Sequence, residues 1–242
     1  MVKRFDLSQQ VYAHRGLWGG DTPENSLAAF QAAARAGYGA ECDVHLTSDG
    51  VPIVFHDFSL SRMTGATGTL AETTFTDLSE LRLNGTDQTI PTLEEVVRAM
   101  QGLPLLIELK SGPETDKGAL TGAITDLLSS CDAPCAVMSF DAVVIELLTT
   151  QIDLPHTGYL LDPSTPADSA HIREICRNSG ANYLGPHVSR IEETARIATQ
   201  LDMPLVCWTV RNEADLSLVT SFKAAPIFEN MKLPLVRTGS IT

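Results

Sequence analysis

At 242 residues, 43% of them hydrophobic, the chain can bury one large core, and an α/β barrel commonly occupies this length. Its 17 basic and 30 acidic residues give a formal net charge of -13, which excludes function through non-specific attraction to nucleic acid or an anionic membrane. The five cysteines (Cys42, Cys131, Cys135, Cys176 and Cys207) are odd in number and show neither zinc spacing nor the density of a disulfide scaffold.

The N-terminal MVKRFDLSQQ has no apolar h-region, and no later apolar run reaches the roughly 18 residues of a membrane span. A cytoplasmic location without stable membrane association is expected. The short apolar run Val11-Tyr12 leads into Ala13-His14-Arg15-Gly16 and then a loop rich in Gly and Asp. Asn25 or Ser26 can cap a helix over Leu27–Ala36, which Gly37 ends.

The next stretch, Glu41–Asp57, reads as two strands around the turn Thr47-Ser48-Asp49-Gly50, where Asp-Gly tolerates positive φ. In the first strand Glu41, Asp43 and His45 share one face and Cys42, Val44 and Leu46 the other. Carboxylates at i and i+2 lie roughly 6.5–7 Å apart along a strand, near enough for their arms to converge on one hard cation. The second strand, Val51–Phe55, delivers His56 and Asp57 at its end.

Residues 58–89 are polar and broken, an insertion with only a short helical pattern at Thr76–Leu83. A capping box, Thr92 with Glu95, opens the next helix. The strand Leu105–Leu109 carries Glu108 and Lys110 on one face. Strand and helix then alternate: Ala136–Phe140 with Ala142–Thr150, Thr157–Leu161 with about Pro166–Ser179, and Asn182–Leu184 with Ile191–Gln200. Pro204–Val210 with Glu213–Phe222 follows, then Pro226–Phe228, and a truncated last helix is expected in Met231–Thr242. The strand starts at 11, 39, 104, 136, 157, 182, 204 and 226 predict a single (β/α)8 TIM-barrel domain over 1–242, with the small insertion after the second strand region.

Catalytic groups in such a barrel gather at the C-terminal ends of strands. His14 and Arg15 fall there on strand one, Glu41 and Asp43 on strand two, and His56-Asp57 on the hairpin strand. Glu108 and Lys110 end strand three, and Trp208 ends strand seven. Glu41, Asp43 and Glu108 make an oxygen-rich site for one divalent cation, Mg²⁺ or Ca²⁺, whereas zinc favours Cys and His. Arg15 and Lys110 can neutralise phosphate oxygens, and His14 and His56 can pass protons in opposite directions. These are the parts needed to cleave a phosphodiester.

With these residues in order, the chain resembles the glycerophosphodiester phosphodiesterase family. The matching motifs are His14-Arg15-Gly16, Pro23-Glu24-Asn25, Glu41-x-Asp43, His56-Asp57 and the insertion start Leu60-Ser61-Arg62-Met63-Thr64-Gly65. Ile90–Glu95, Glu108-Leu109-Lys110 and Trp208-Thr209-Val210 extend the match from about Val11 to Val210. The resemblance implies a TIM barrel that hydrolyses small-molecule glycerophosphodiesters to sn-glycerol 3-phosphate and an alcohol with one divalent cation, Mn²⁺ being a third candidate. It implies Glu41, Asp43 and Glu108 as metal ligands, and His14 and His56 as general acid and base. Arg15 and Lys110 would be phosphate contacts, and Trp208 an apolar wall beside the substrate. Which histidine is acid, and whether water attacks directly or a cyclic phosphate forms, stay open.

One departure stands out: where the family ends strand eight with Thr-Asp, this chain has Glu229-Asn230. Alternative functions are a lysophospholipase D-like phosphodiesterase, for which the polar loops offer little apolar groove, and a non-catalytic phosphodiester-binding barrel, against which both histidines speak. A metal-independent phospholipase C would not need three convergent carboxylates. His45 has a rim role or is exposed; His156, His171 and His187 are structural or exposed; Glu24 supports the site residues from behind or orders its loop.

Overall fold

A computed structural model of the chain describes residues 2–164 and 168–233. Its elements run β1 (Tyr12–Ala13), α1 (Leu27–Arg35), β2 (Gly39–Leu46), β3 (Pro52–Val54), α2 (Ser61–Thr64), α3 (Phe75–Ser79) and α4 (Leu93–Ala99). They continue with β4 (Leu105–Leu109), α5 (Lys117–Ser129), β5 (Cys135–Ser139), α6 (Ala142–Gln151), β6 (Thr157–Leu161) and α7 (Ser169–Ser179). Last come β7 (Tyr183–Pro186), α8 (Ile191–Leu201), β8 (Val206–Val210), α9 (Glu213–Ser221) and β9 (Ala225–Phe228).

Eight of the strands are parallel, in the order β7-β6-β5-β4-β2-β1-β9-β8, and the parallel bridges Leu184–Leu205 and His187–Trp208 bring β7 against β8. The ring is therefore nearly closed, with helices between its strands, as the eight strand starts predict. β3 stands outside it, antiparallel to the end of β2. The expected start of α7 at 166 and most of the expected last helix, 234–242, lie outside the described residues. Helix α5 is absent from the expectation. Its buried residues are Leu120, Thr121, Ile124 and Leu128, but Gly118 and Gly122 weaken its helix propensity, and Leu127 lies partly buried on another side.

Alternation along the strands separates two layers of core. Cys42, Val44, Leu105, Ile107, Val137 and Leu161 point outward into the packing against the helices. Tyr12, Leu106, Ala136, Met138, Leu160, Tyr183, Val206 and Ile227 fill the barrel interior, with Leu7 of the N-terminal segment joining them. Small residues make that filling possible. Tyr12 is in register with Gly39, Tyr183 with Gly158 and Leu160 with Gly185, so each bulky side chain lies over a neighbour that has none.

A Cβ at Gly158 would lie 2.2 Å from the ring of Tyr183, which is fully buried. Gly158→Ala is therefore expected to cost at least about 1–3 kcal/mol, the usual range for overpacking. At roughly 2–4 °C per kcal/mol for a chain of this size, thermal unfolding should show a midpoint several degrees lower. A midpoint equal to that of the wild type would mean that the interior is not packed this closely.

Leu60, Met63, Leu70, Leu78 and Leu83 of the insertion build a small core with Ile53 and Phe55 of the hairpin and with Ile90, which follows the insertion. The helical pattern expected at Thr76–Leu83 proves shorter, ending at Ser79. The capping box of Thr92 and Glu95 forms as expected. All five cysteines are buried and free. Among the described residues, no helix is long and apolar enough to cross a membrane.

Candidate active site

The register of β2 and β4 sets Asp43 directly beside Glu108, with Glu41 one inward position below. All three side chains point into the barrel and are buried, and one carboxylate oxygen from each lies within 4.8 Å of the others. Hard divalent cations bind oxygens at about 2.0–2.6 Å, so one ion can reach all three. The donor set is all carboxylate, which suits Mg²⁺, Ca²⁺ or Mn²⁺ better than a thiophilic metal.

Burying three carboxylates together is costly unless cations lie among them. Lys110 Nζ is 2.7 Å from Glu108 and 3.3 Å from Asp43, while Arg15 Nε is 3.2 Å from Asp43. The outcome differs for each acid. Burial raises Glu41 well above the usual carboxylate range, and repulsion from Asp43 and Glu108 adds to the rise. Burial raises Glu108 too, against the pull of Lys110. Asp43 is equally buried, yet Lys110 and Arg15 overcome that and hold it well below the usual range.

The loop after β1 is shaped to serve the same cluster. The Arg15 backbone N–H donates to Glu41 Oε2 at 3.0 Å, and its guanidinium donates to Glu24 at 2.9 Å. Arg15 and Asn25 both hold left-handed backbone, φ 58° and 56°, and the Asn25 N–H donates to the Arg15 carbonyl. The Asn25 amide in turn donates to Asp43 Oδ2 at 2.9 Å. Glu24 thus ties down the loop by binding Arg15.

The two histidines flank the carboxylates, and the Nδ1 of each is engaged by another acid. His56 Nδ1 lies 2.6 Å from Asp57, which Arg62 of the insertion grips, and Arg62 also donates to Glu24 at 2.7 Å. Burial pushes the His56 imidazole below its ordinary value, against the attraction of Asp43. His14 Nδ1 lies 2.7 Å from Glu229 Oε2, and its Nε2 faces Glu41 at 4.0 Å. The partnerships of Arg62 and Glu229 are not evident from sequence reasoning; for Glu229 the only local signal is the departure at the end of strand eight.

His14, Arg15, Glu41, His56, Glu108 and Lys110 line one cavity of about 230 Å³. Its far wall is apolar, made by Met138, Phe140, Leu160, Trp208 and Ile227. Trp208 is partly buried, donates its indole N–H to the Gly185 carbonyl at 2.9 Å and packs edge-on against Phe140 and His187. Seven of the eight site residues expected from the sequence line this cavity, and the eighth, Asp43, is buried beside it against Arg15 and Lys110.

His45 is a correction to the exposed alternative. It is buried, stacks edge-on with Phe58 and bonds the His56 carbonyl at 3.2 Å, and burial pushes its imidazole down to about 4. His156 bonds the Phe5 carbonyl and His171 is exposed.

A profile of the Glycerophosphoryl diester phosphodiesterase family matches residues 14–231. YhdW of Bacillus subtilis is 32% identical over 221 residues, 84% of this chain and 86% of that protein. Glycerophosphodiester phosphodiesterase 1 of Mus musculus is 36% identical over 125 residues, 47% of this chain but 38% of that protein. The chain thus spans little more than a third of the mouse relative. Among solved structures, a phosphodiesterase of Oleispira antarctica in complex with its product sn-glycerol-3-phosphate has a TM-score of 0.80 at 26% identity, covering 91% of this chain and 92% of that one. The glycerophosphodiester phosphodiesterase of Thermotoga maritima shares the fold, with a TM-score of 0.74 at 23% identity over 90% of this chain and 93% of that one.

Proposed function

The chain belongs to the glycerophosphoryl diester phosphodiesterase family, and from that premise we propose that it hydrolyses small-molecule glycerophosphodiesters to sn-glycerol 3-phosphate and an alcohol. The observation that carries this reading is the set of three buried carboxylates, Glu41, Asp43 and Glu108, beside two histidines that line the cavity and each have Nδ1 bound to another acid. The likeness to the Oleispira antarctica enzyme bound to sn-glycerol-3-phosphate supports the product.

Glu41, Asp43 and Glu108 would hold one divalent cation, which supplies Lewis acidity toward an oxygen of the phosphodiester. Arg15 and Lys110 neutralise the phosphate from beside the carboxylates. One histidine accepts the proton of the attacking group, a water or a glycerol hydroxyl whose cyclic phosphate water then opens, and the other returns a proton to the departing alkoxide oxygen. Phe140 and Trp208 present an apolar wall to the carbon skeleton of the substrate.

The test is release of glycerol 3-phosphate from glycerophosphocholine by the purified protein. Turnover is expected to vanish in EDTA and to return with Mg²⁺, Ca²⁺ or Mn²⁺. Turnover indifferent to EDTA would overturn the metal assignment. A folded protein inactive with every cation, yet active on lysophosphatidylcholine, would replace the substrate by a lysophospholipid.

A further inference from the structure

The pairing of β1 with β9 runs Tyr12 with Ile227 and Ala13 with Phe228, and the His14 N–H donates to the Phe228 carbonyl at 2.9 Å. One residue further along, the same register sets His14 beside Glu229. We propose that Glu229 is a positioning residue for His14: its carboxylate accepts the hydrogen bond of Nδ1–H, fixes the ring, and in the neutral imidazole leaves the Nε2 lone pair toward Glu41 and the cavity. This rests on the reading of His14 as a proton-transfer residue.

Three observations support the assignment beyond the 2.7 Å contact. Arg211 Nε donates to the other oxygen of Glu229, so the carboxylate is held from both sides. The Glu229 backbone is itself fixed, its N–H donating to Val210 of β8 at 3.1 Å. Burial opposes ionisation of Glu229, but the bonds from His14 and Arg211 outweigh it and hold the carboxyl down at about 2. The arrangement repeats that of His56, Asp57 and Arg62 on the opposite side of the cavity, although Arg211 comes from the barrel and Arg62 from the insertion. Both rings are thus set the same way, each by an anion that an arginine holds.

In an imidazole bound to an acceptor at Nδ1, the proton sits on Nδ1 and the Nε2 lone pair is the one available for transfer. Glu229→Gln keeps the size of the side chain. If Arg211 goes on binding its oxygen, the amide N–H₂ is turned toward His14 and favours the opposite tautomer. The expected result is a kcat roughly 10²- to 10⁴-fold lower with KM within about threefold, the scale of a wrong-tautomer substitution in a His–carboxylate pair.

The tautomer is read directly by side-chain ¹⁵N NMR at a pH where the ring is neutral, with the His14 signals identified by their loss in His14→Ala. Wild-type protein is expected to carry the proton on Nδ1, and Glu229→Gln to shift it toward Nε2. A wild-type His14 protonated on Nε2, or a Glu229→Gln variant with unchanged kcat, would overturn the proposal, and the wild-type spectrum decides even if the variant does not fold. His14→Ala separates the two levels of the argument. If it keeps full turnover, the proton-transfer role of His14 fails; if it is inactive while Glu229→Gln is fully active, only the positioning role fails.

Discussion

His14→Ala and His56→Ala are each expected to lower kcat by roughly 10²- to 10⁴-fold, the usual contribution of a positioned acid or base. Both variants should fold. The two side chains are 13% and 32% exposed, and both line the cavity, so their loss opens no void in the packed interior. What each leaves behind is an acid still paired: Glu229 with Arg211, and Asp57 with Arg62. Neither truncation strands a buried charge, which is the usual route from a polar deletion to unfolding. A fall in kcat at an unchanged thermal midpoint would therefore report chemistry rather than collapse. Because the rings act on one reaction, the double variant should lose much less than the product of the single losses. Either single variant turning over at the wild-type rate would remove that histidine from the mechanism.

Much of this site was legible because it is written in short-range patterns. The alternation from Glu41 to Leu46 separates acids from apolar residues, and in the barrel that is the division between interior and helix-facing surface. Glu108-Leu109-Lys110 obeys the same rule one strand over, and the Thr92 capping box is a local hydrogen-bond pattern that forms as read.

What the sequence did not carry is long-range. His14 and Glu229 lie 215 positions apart, and only the register at which β9 returns to β1 brings them together. Arg62 reaches Glu24 across 38 positions, from an insertion whose own small core sets its distance from the barrel. His45 obeys the alternation and faces inward, but its burial depends on Phe58, which folds over it from the start of the insertion. Helix α5 went unread for a different reason: its burial is decided by the strands it covers, not by a strong contrast between its faces.

Asp43→Asn and Glu41→Gln, both in β2, are expected to abolish the response to metal and to act oppositely on the metal-free protein. At a concentration one hundred times its dissociation constant, a ligand stabilises the folded state by about 2.7 kcal/mol. At roughly 2–4 °C per kcal/mol, Ca²⁺ or Mg²⁺ should raise the wild-type midpoint by several degrees over EDTA. Neither variant should show that rise. Each should also lose at least about 10²-fold in kcat, because Lewis-acid stabilisation is worth several kcal/mol and each 1.4 kcal/mol is tenfold. In EDTA the two part company. Asp43 is an anion that Lys110 and Arg15 hold low in spite of burial, so attraction dominates its surroundings and its neutralisation should lower the midpoint. Glu41 is raised by burial and by its acidic neighbours, so the surroundings oppose its charge, and a neutral amide there should leave the midpoint unchanged or higher. Equal destabilisation by both substitutions in EDTA would mean that the charge balance of the cluster is not the one set by Lys110 and Arg15.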